Sequence, residues 1–231
     1  MARFYSKVEV VPINSASTNA LAHLIAALTD GDESTRLKAA LAIGSNPEPG
    51  LLDALVARCA IEPDFYVRDM LTWALTRFPS EITVPRLLAE LRSDRAQARS
   101  QALHTLSKIK DADAWSAITR SLLRDSDDEV ARSAWRAAVA LVPHGQEPNL
   151  AVELATQLGR GNREMQLSLS RALVALGAEV IGPVLQKAMA SADPGVHAHA
   201  SATERLLREP DAGSEPAVNE ARRQFVLGKE R

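Results

Sequence analysis

Small and apolar residues along the chain return on a helical beat and do not alternate. Arg36 is followed by Ala39, Ala42 and Ile43, Arg68 by Leu71, Ala74 and Leu75, Arg99 by Ala102, Thr105 and Leu106, and Arg132 by Trp135, Ala138 and Val139. The offsets are +3, +6 and +7 each time, which fall on one face of a helix. The four arginines are spaced 32, 31 and 33 residues apart. The phase continues through Gln166 after 34 residues and, more weakly, through His197 after 31. A second apolar stretch stands upstream of each marker: Leu21 to Leu28, Leu51 to Ala60, Val84 to Leu91, Trp115 to Leu123, Leu150 to Leu158 and Val180 to Met189. Turn signals separate the units at Asn46-Pro47, Phe78-Pro79, Lys110-Asp111, Pro143-His144-Gly145 and Gly177. The pattern predicts six units of helix A, turn and helix B. A lone pair of such helices cannot bury its apolar stripes, whereas stacked neighbours share one continuous core.

An acid precedes each B helix except the fifth. Asp32, Asp64, Asp128 and Asp193 stand four residues before the marker, and Asp94 stands five before. Asp at this place accepts orphan backbone N–H groups and complements the helix dipole, so these residues are read as caps. Two-helix units of this length, with Asp before an Arg-marked second helix, resemble the HEAT family, and most closely its short HEAT-like subgroup named after phycobilisome lyases. The marker Asp-x-x-Val-Arg stands almost intact as Asp64-Phe65-Tyr66-Val67-Arg68. The likeness covers about residues 17–210. It implies an all-α fold, an α-solenoid (α-α superhelix) of about six repeats. It also implies a structural Asp–Arg ladder between adjacent repeats, made by Arg36, Arg68, Arg99 and Arg132 with Asp32, Asp64, Asp94 and Asp128. Gln166 and His197 depart from the pattern, so the ladder is expected to weaken toward the C-terminus. TPR is the competing period, but its Trp, Gly, Tyr and Pro signature is missing. Residues 1–16 read as an extended arm or tail, and residues 211–231 as a linker with a capping helix.

Composition agrees with helices. Of 231 residues 46% are hydrophobic, yet Phe, Trp and Tyr number only four, three and two, so the apolar share is mostly Ala, Leu and Val. Ala and Leu favour helix over strand. Lys and Arg number 27 against 29 Asp and Glu, a formal charge of −2, which lacks the basic excess of a dedicated nucleic-acid binder. Cys59 is the only cysteine, which excludes an intrachain disulfide and makes it a small buried hydrophobe. The first residues lack the apolar core of a signal peptide, and no apolar run approaches membrane-spanning length, so a cytoplasmic location is expected.

Function is sought on the B helices, because in HEAT-like solenoids they usually line a concave partner-binding face. Positions +1, +5 and +9 from each marker share a side away from the core stripe. They and their flanks supply Asp69, Trp73, Arg77, His104, Lys108, Arg136 and Arg171 as candidate binding residues. Trp and Arg are enriched among binding hot spots. Trp73 has two readings, a hot spot or a ring packed between repeats. Trp135 and Trp115 are read as structural. His197 and His199 lie two apart on a helix, point about 160° apart and cannot share a metal ion. Ser100 and His104 are one turn apart, without an acid to orient the histidine. Gly159-Arg160-Gly161 is a turn, since a phosphate loop needs a preceding strand. No cofactor or metal is expected.

These residues and the resemblance lead to a non-enzymatic interaction or scaffold protein, monomeric or weakly dimeric, that binds a protein or peptide partner or a small ligand. The chain is also similar to stand-alone, Ala- and Arg-rich bacterial HEAT-like proteins. Related HEAT segments occur fused to helix-turn-helix regulators, which implies a sensor or scaffold role. The alternative is a HEAT-like alkylpurine DNA glycosylase, or a DNA-binding protein, using Asp69 and Trp73. That family places its aromatic before its acid, the reverse of the order here, and has a basic groove that the net charge does not support. A phycobilin lyase role is weaker still, since no chromophore-handling motif is recognised.

Overall fold

Each predicted A–B unit appears as a helix pair in the computed structural model, which describes residues 15–209. The pairs are α1 (Ser15–Leu28) with α2 (Glu33–Ser45), α3 (Leu52–Cys59) with α4 (Phe65–Leu75), and α5 (Ser80–Glu90) with α6 (Ala96–Ile109). They continue with α7 (Arg120–Leu123) and α8 (Asp128–Leu141), α9 (Glu147–Ala155) and α10 (Arg163–Val174), and α11 (Ala178–Met189) and α12 (Pro194–Arg208). No strand occurs among the described residues. The fold is all-α and of the α-solenoid type. No helix among the described residues is long and apolar enough to cross a membrane. The predicted N-terminal arm and C-terminal capping helix lie outside the described residues, apart from Ser15 and Ala16, which open α1.

The chain divides into two compact units within α5, the first ending at Thr83 and the second beginning at Val84. In the first, α1 packs on α2 and α3, and α2 packs on α4. In the second, B helix packs on B helix (α6 on α8, α8 on α10, α10 on α12), while α9 packs on α11. Within each unit this stacking gives the apolar stripe of a B helix a partner in the next repeat. The +3 position is buried in all six repeats, as Ala39, Leu71, Ala102, Trp135, Leu169 and Ala200. The +6 position is buried in the other repeats, as Ala74, Thr105, Ala138, Ala172 and Thr203, and departs only at Ala42, which is exposed.

The fourth A helix is not the continuous run that the sequence predicts from Trp115 to Leu123. A 3₁₀ segment, Ala112–Ala117, gives way at Ile118, and α7 restarts for one turn under a Thr119 cap. Thr119 takes an extended backbone and its hydroxyl accepts the Leu122 amide, so the chain caps a new helix there. Trp115 is half-buried in the 3₁₀ segment. Trp135 is fully buried, and its indole N–H donates to the Leu123 carbonyl at 2.8 Å, tying α8 to α7.

Candidate functional site

The marker residues act on the turn before their own helix. Arg36 Nη1 donates to the carbonyls of Asp30 and Gly31, both at 3.0 Å. Arg68 Nη1 donates to Glu62 and Pro63, and Arg99 Nη1 to Ser93. The other edge of the guanidinium reaches the next repeat. Arg36 grips Glu62 with two bonds of 2.9 Å, and Arg99 grips Asp125 at 3.0 and 3.1 Å. Both acids lie 26 residues beyond their arginine and two before the next cap aspartate. The acids of these two bridges are therefore not the cap residues the family pattern implied. Glu62 is fully buried and also receives Arg58 at 2.6 Å. Burial alone would raise its carboxyl, but hydrogen bonds from Arg36 and Arg58 and the Asp64 amide outweigh that and lower it to about 2.

The caps divide. Asp32, Asp64 and Asp193 cap as predicted, accepting amides of Thr35, Val67, and both Gly195 and Val196. Asp94 does not cap α6, where Arg95 holds the N-cap position without a side-chain bond. Asp128 lies inside the first turn of α8, and its neighbour Asp127 caps instead, accepting Glu129 and Val130. Asp128 receives Arg160 Nη2 at 2.8 Å.

The ladder changes one repeat earlier than expected. Twenty-six residues beyond Arg132 stands Leu158, so Arg132 turns to Glu129 (2.9 Å) and Glu164 (3.0 Å), and its buried Nε has no hydrogen-bond partner. Gln166, expected to break the pattern, keeps the turn contact in neutral form, its amide donating to Gly161 O at 3.2 Å. The last joint is neutral too. His199 Nδ1 accepts the Gly159 amide at 3.0 Å, which fixes the proton on Nε2 for donation to Gln166 O at 2.9 Å and toward Ser170 Oγ at 3.1 Å. Ser170 then donates to Thr203, which donates back to the His199 carbonyl. Gly159 has φ +86°, and a side chain there would meet the Val196 backbone at 3.2 Å. His197 contacts the Met189 carbonyl, so the two histidines face different partners.

The predicted binding residues fall in both units. On the first, Asp69 and Arg77 are exposed. Trp73 is packed in part and open in part: its ring lies where a side chain at Gly44 would stand, with Cε3 2.8 Å from that position, while 38% of the residue is exposed. On the second, Lys108, Arg136 and Arg171 are exposed and His104 is half-buried. The +1 and +5 rows are not continuous surface here. Ser100 and Ser133 are buried and lie 3.0 Å apart where α6 meets α8, and Ala137 is fully buried.

Arg136 and Arg171 are brought together. They line a cavity of about 350 Å³ with Arg132, Glu164, Leu167 and Ser168, among residues of α8 and α10. Arg136 donates to Ser133 Oγ at 3.1 Å. Although Arg136 as a whole is exposed, its guanidinium is partly buried where it meets Ser133, and that burial, and after it the like charge of Arg132, lower it from the ordinary value, while an arginine remains cationic at neutral pH. Among the described residues Arg171 makes no ion pair. The sequence reading missed Arg132, Glu164 and Leu167 as cleft residues, and also the exposed Phe65 and Tyr66, which pack edge to face at the start of α4.

This architecture defines a helical-repeat protein. Residues 13–76 and 60–141 match the family model for HEAT repeats, and the chain belongs to that family. No curated protein matches it. Among solved structures it is similar to an engineered protein, with 22% identity, 84% of this chain and 98% of the other covered, and a TM-score of 0.45. It is also similar to the complex of CpcE and CpcF of phycocyanin lyase from Nostoc sp. PCC7120, with 20% identity, 90% and 82% covered, and a TM-score of 0.47.

Proposed function

We propose that the chain is a non-enzymatic interaction protein that docks a protein partner on its B-helix surface. The observation that carries this reading is a set of large apolar side chains left open on B helices. Leu41 is 47% exposed, Trp73 38% and Leu167 37%, at positions the repeat uses neither for its core stripe nor for its turns. On the second unit Leu167 is open beside Arg136 and Arg171, and on the first Leu41 and Trp73 are open on their own B helices, residue types that suit an interface centre. HEAT repeats generally serve protein interaction, which supports the same reading.

Affinity capture with the full chain, repeated with Leu41→Asp and Leu167→Asp, tests it. The two variants are expected to lose a partner held by the wild type while keeping its thermal midpoint, since both residues are substantially exposed. Unchanged capture by both variants overturns the reading. So does a shift of labelled duplex DNA at low salt with base release lost in Asp69→Asn, which would favour the glycosylase alternative.

A further inference from the structure

The α8–α10 cleft sits where the repeat departs from its own rule. At the +4 position the other B helices through the fifth carry small or apolar residues that are buried: Ala40 and Leu103 fully, Thr72 and Ser170 to within 4%. In α8 the same position is Arg136, which is exposed. A guanidinium cannot be packed there without a partner. Accordingly, α8 and α10 pack more loosely than α6 and α8, and the cavity of about 350 Å³ opens between them. Arg171 stands at +5, where the other repeats through the fifth carry Leu41, Trp73, His104 and Ala137. Neither cation is needed to build the stack.

We propose that this cleft binds a carboxylate side chain of an acidic peptide segment, with Arg136 and Arg171 as the recognising groups. The proposal rests on the B-helix reading above and names its partner chemistry. Three arginines face one carboxylate, Glu164, among the lining residues. Both Nη groups of Arg132 are already engaged by Glu129 and Glu164 and its unpartnered Nε is buried, so the accessible free donors belong to Arg136 and Arg171. Arg136 is held in place by a hydroxyl chain: it donates to Ser133 Oγ, which lies 3.0 Å from Ser100 Oγ, itself 3.3 Å from the Glu129 carbonyl. Val139, Ala140, Leu167, Ala172 and Ala175 supply an apolar wall for the methylene stem of a glutamate. The size falls at the lower end of ligand-sized sites, enough for one or two side chains. A nucleic-acid strand is disfavoured, because Glu164 and Glu129 repel phosphates and the chain carries a formal charge of −2.

Fluorescence anisotropy with the full chain tests this, using a labelled twelve-residue peptide of alternating Glu and Ala and its Gln counterpart. The Glu peptide is expected to bind at least tenfold tighter than the Gln peptide, and to weaken as salt rises. Arg171→Glu and Arg136→Glu are each expected to lose at least tenfold, whereas Lys38→Glu, at an exposed cation of α2 outside the candidate binding set, leaves binding unchanged. Arg171→Gln, which removes the charge but keeps a shorter polar side chain, guards against a folding defect and should lie between. Equal affinity for the two peptides overturns the proposal, as does unchanged binding in both charge reversals. A single-stranded oligonucleotide displacing the Glu peptide at equimolar concentration also overturns it. If these arms fail while Leu167→Asp still abolishes partner capture, the docking surface stands and only its acidic chemistry falls.

Discussion

The α2–α4 joint of the first unit and the α10–α12 joint of the second perform the same mechanical task with opposite chemistry. Between α2 and α4 a buried carboxylate, Glu62, gathers Arg36, Arg58 and the amide of Asp64. Between α10 and α12 a neutral imidazole, His199, gathers the Gly159 amide, the Gln166 carbonyl and Ser170. In both, one buried group satisfies turn backbone and bridges two repeats. The α6–α8 joint is intermediate: Arg99 and Asp125 pair in the same register, with side chains 18% and 12% exposed. These three joints therefore each close on a hub with several hydrogen-bonding sites, which either an ion pair or a neutral ring supplies, whereas the α8–α10 joint does without one and pairs Arg132 with the exposed Glu129 and Glu164. Charge matters through what happens when one member is removed, since an unpaired buried ion costs far more than an unpaired neutral group.

The strongest way to break the comparison is Glu62→Gln. Arg36 is then left buried beside a neutral amide that cannot match its fork, and about 3 kcal/mol of stability is expected to be lost. Urea unfolding checks this. A midpoint within error of wild type would reduce the α2–α4 bridge to decoration. Gly44→Ala is expected to cost about 2 kcal/mol by overpacking, since its methyl group would meet Trp73 Cε3 at 2.8 Å and the Ala74 Cα at 2.9 Å. Trp73→Ala in the same background should recover part of that loss and thereby separate the packing share of Trp73 from its exposed share.

Acid separates the two hubs. The Glu62 carboxyl lies below its unfolded value near 4.5, so its stabilisation is present above that pH and is lost as pH falls toward about 2. His199 is lowered from 6.5, first by burial and against the hydrogen bond to Gln166, so its stabilisation is present above 6.5 and is lost as pH falls through the folded value. The Gly159 amide, which needs an unprotonated Nδ1, is expected to lose exchange protection at a higher pH than the amides of α4. Hydrogen exchange at pH 7, 5.5 and 4 checks the order. Simultaneous loss in both units would show that His199 is not the first group to yield.

The period, the six helix pairs and the buried +3 row were legible because they repeat, and repetition survives single exceptions such as Gln166. The bridge acids were not, because Glu62 and Asp125 lie in turns where no helical beat marks them. A signal did exist: an acid two residues before a cap aspartate recurs as Asp30-x-Asp32, Glu62-x-Asp64 and Asp125-x-Asp127. In each, the first acid accepts the amide of the second. For the candidate site, Arg136 and Arg171 were visible as cations on the right face. Their shared cleft was not, since it depends on α8 and α10 standing apart. The buried serines at Ser100 and Ser133 show the opposite case, where close packing of α6 on α8 removes predicted surface.

The smallest expected effect sharpens the intermediate joint. Asp127 and Asp128 are adjacent acids at the start of α8, where the four-residue spacing points to Asp128 and the structure caps with Asp127. Asp127 accepts the amides of Glu129 and Val130, so Asp127→Ala should cost about 1 kcal/mol through the lost cap. Asp128 is over half exposed and holds only Arg160, an ion pair worth a few tenths of a kcal/mol, about 0.5 at most. Thermal unfolding of the two variants at low and at high salt tells them apart. The Asp128 effect should fade with added salt, whereas the Asp127 effect should persist, because a cap is a hydrogen bond to backbone at short range and salt screens it less. If Asp128→Ala proves the more damaging, Arg160, which also donates to the Asp125 carbonyl at 2.6 Å, is a structural member of the joint and the neutral end of the stack begins one repeat later.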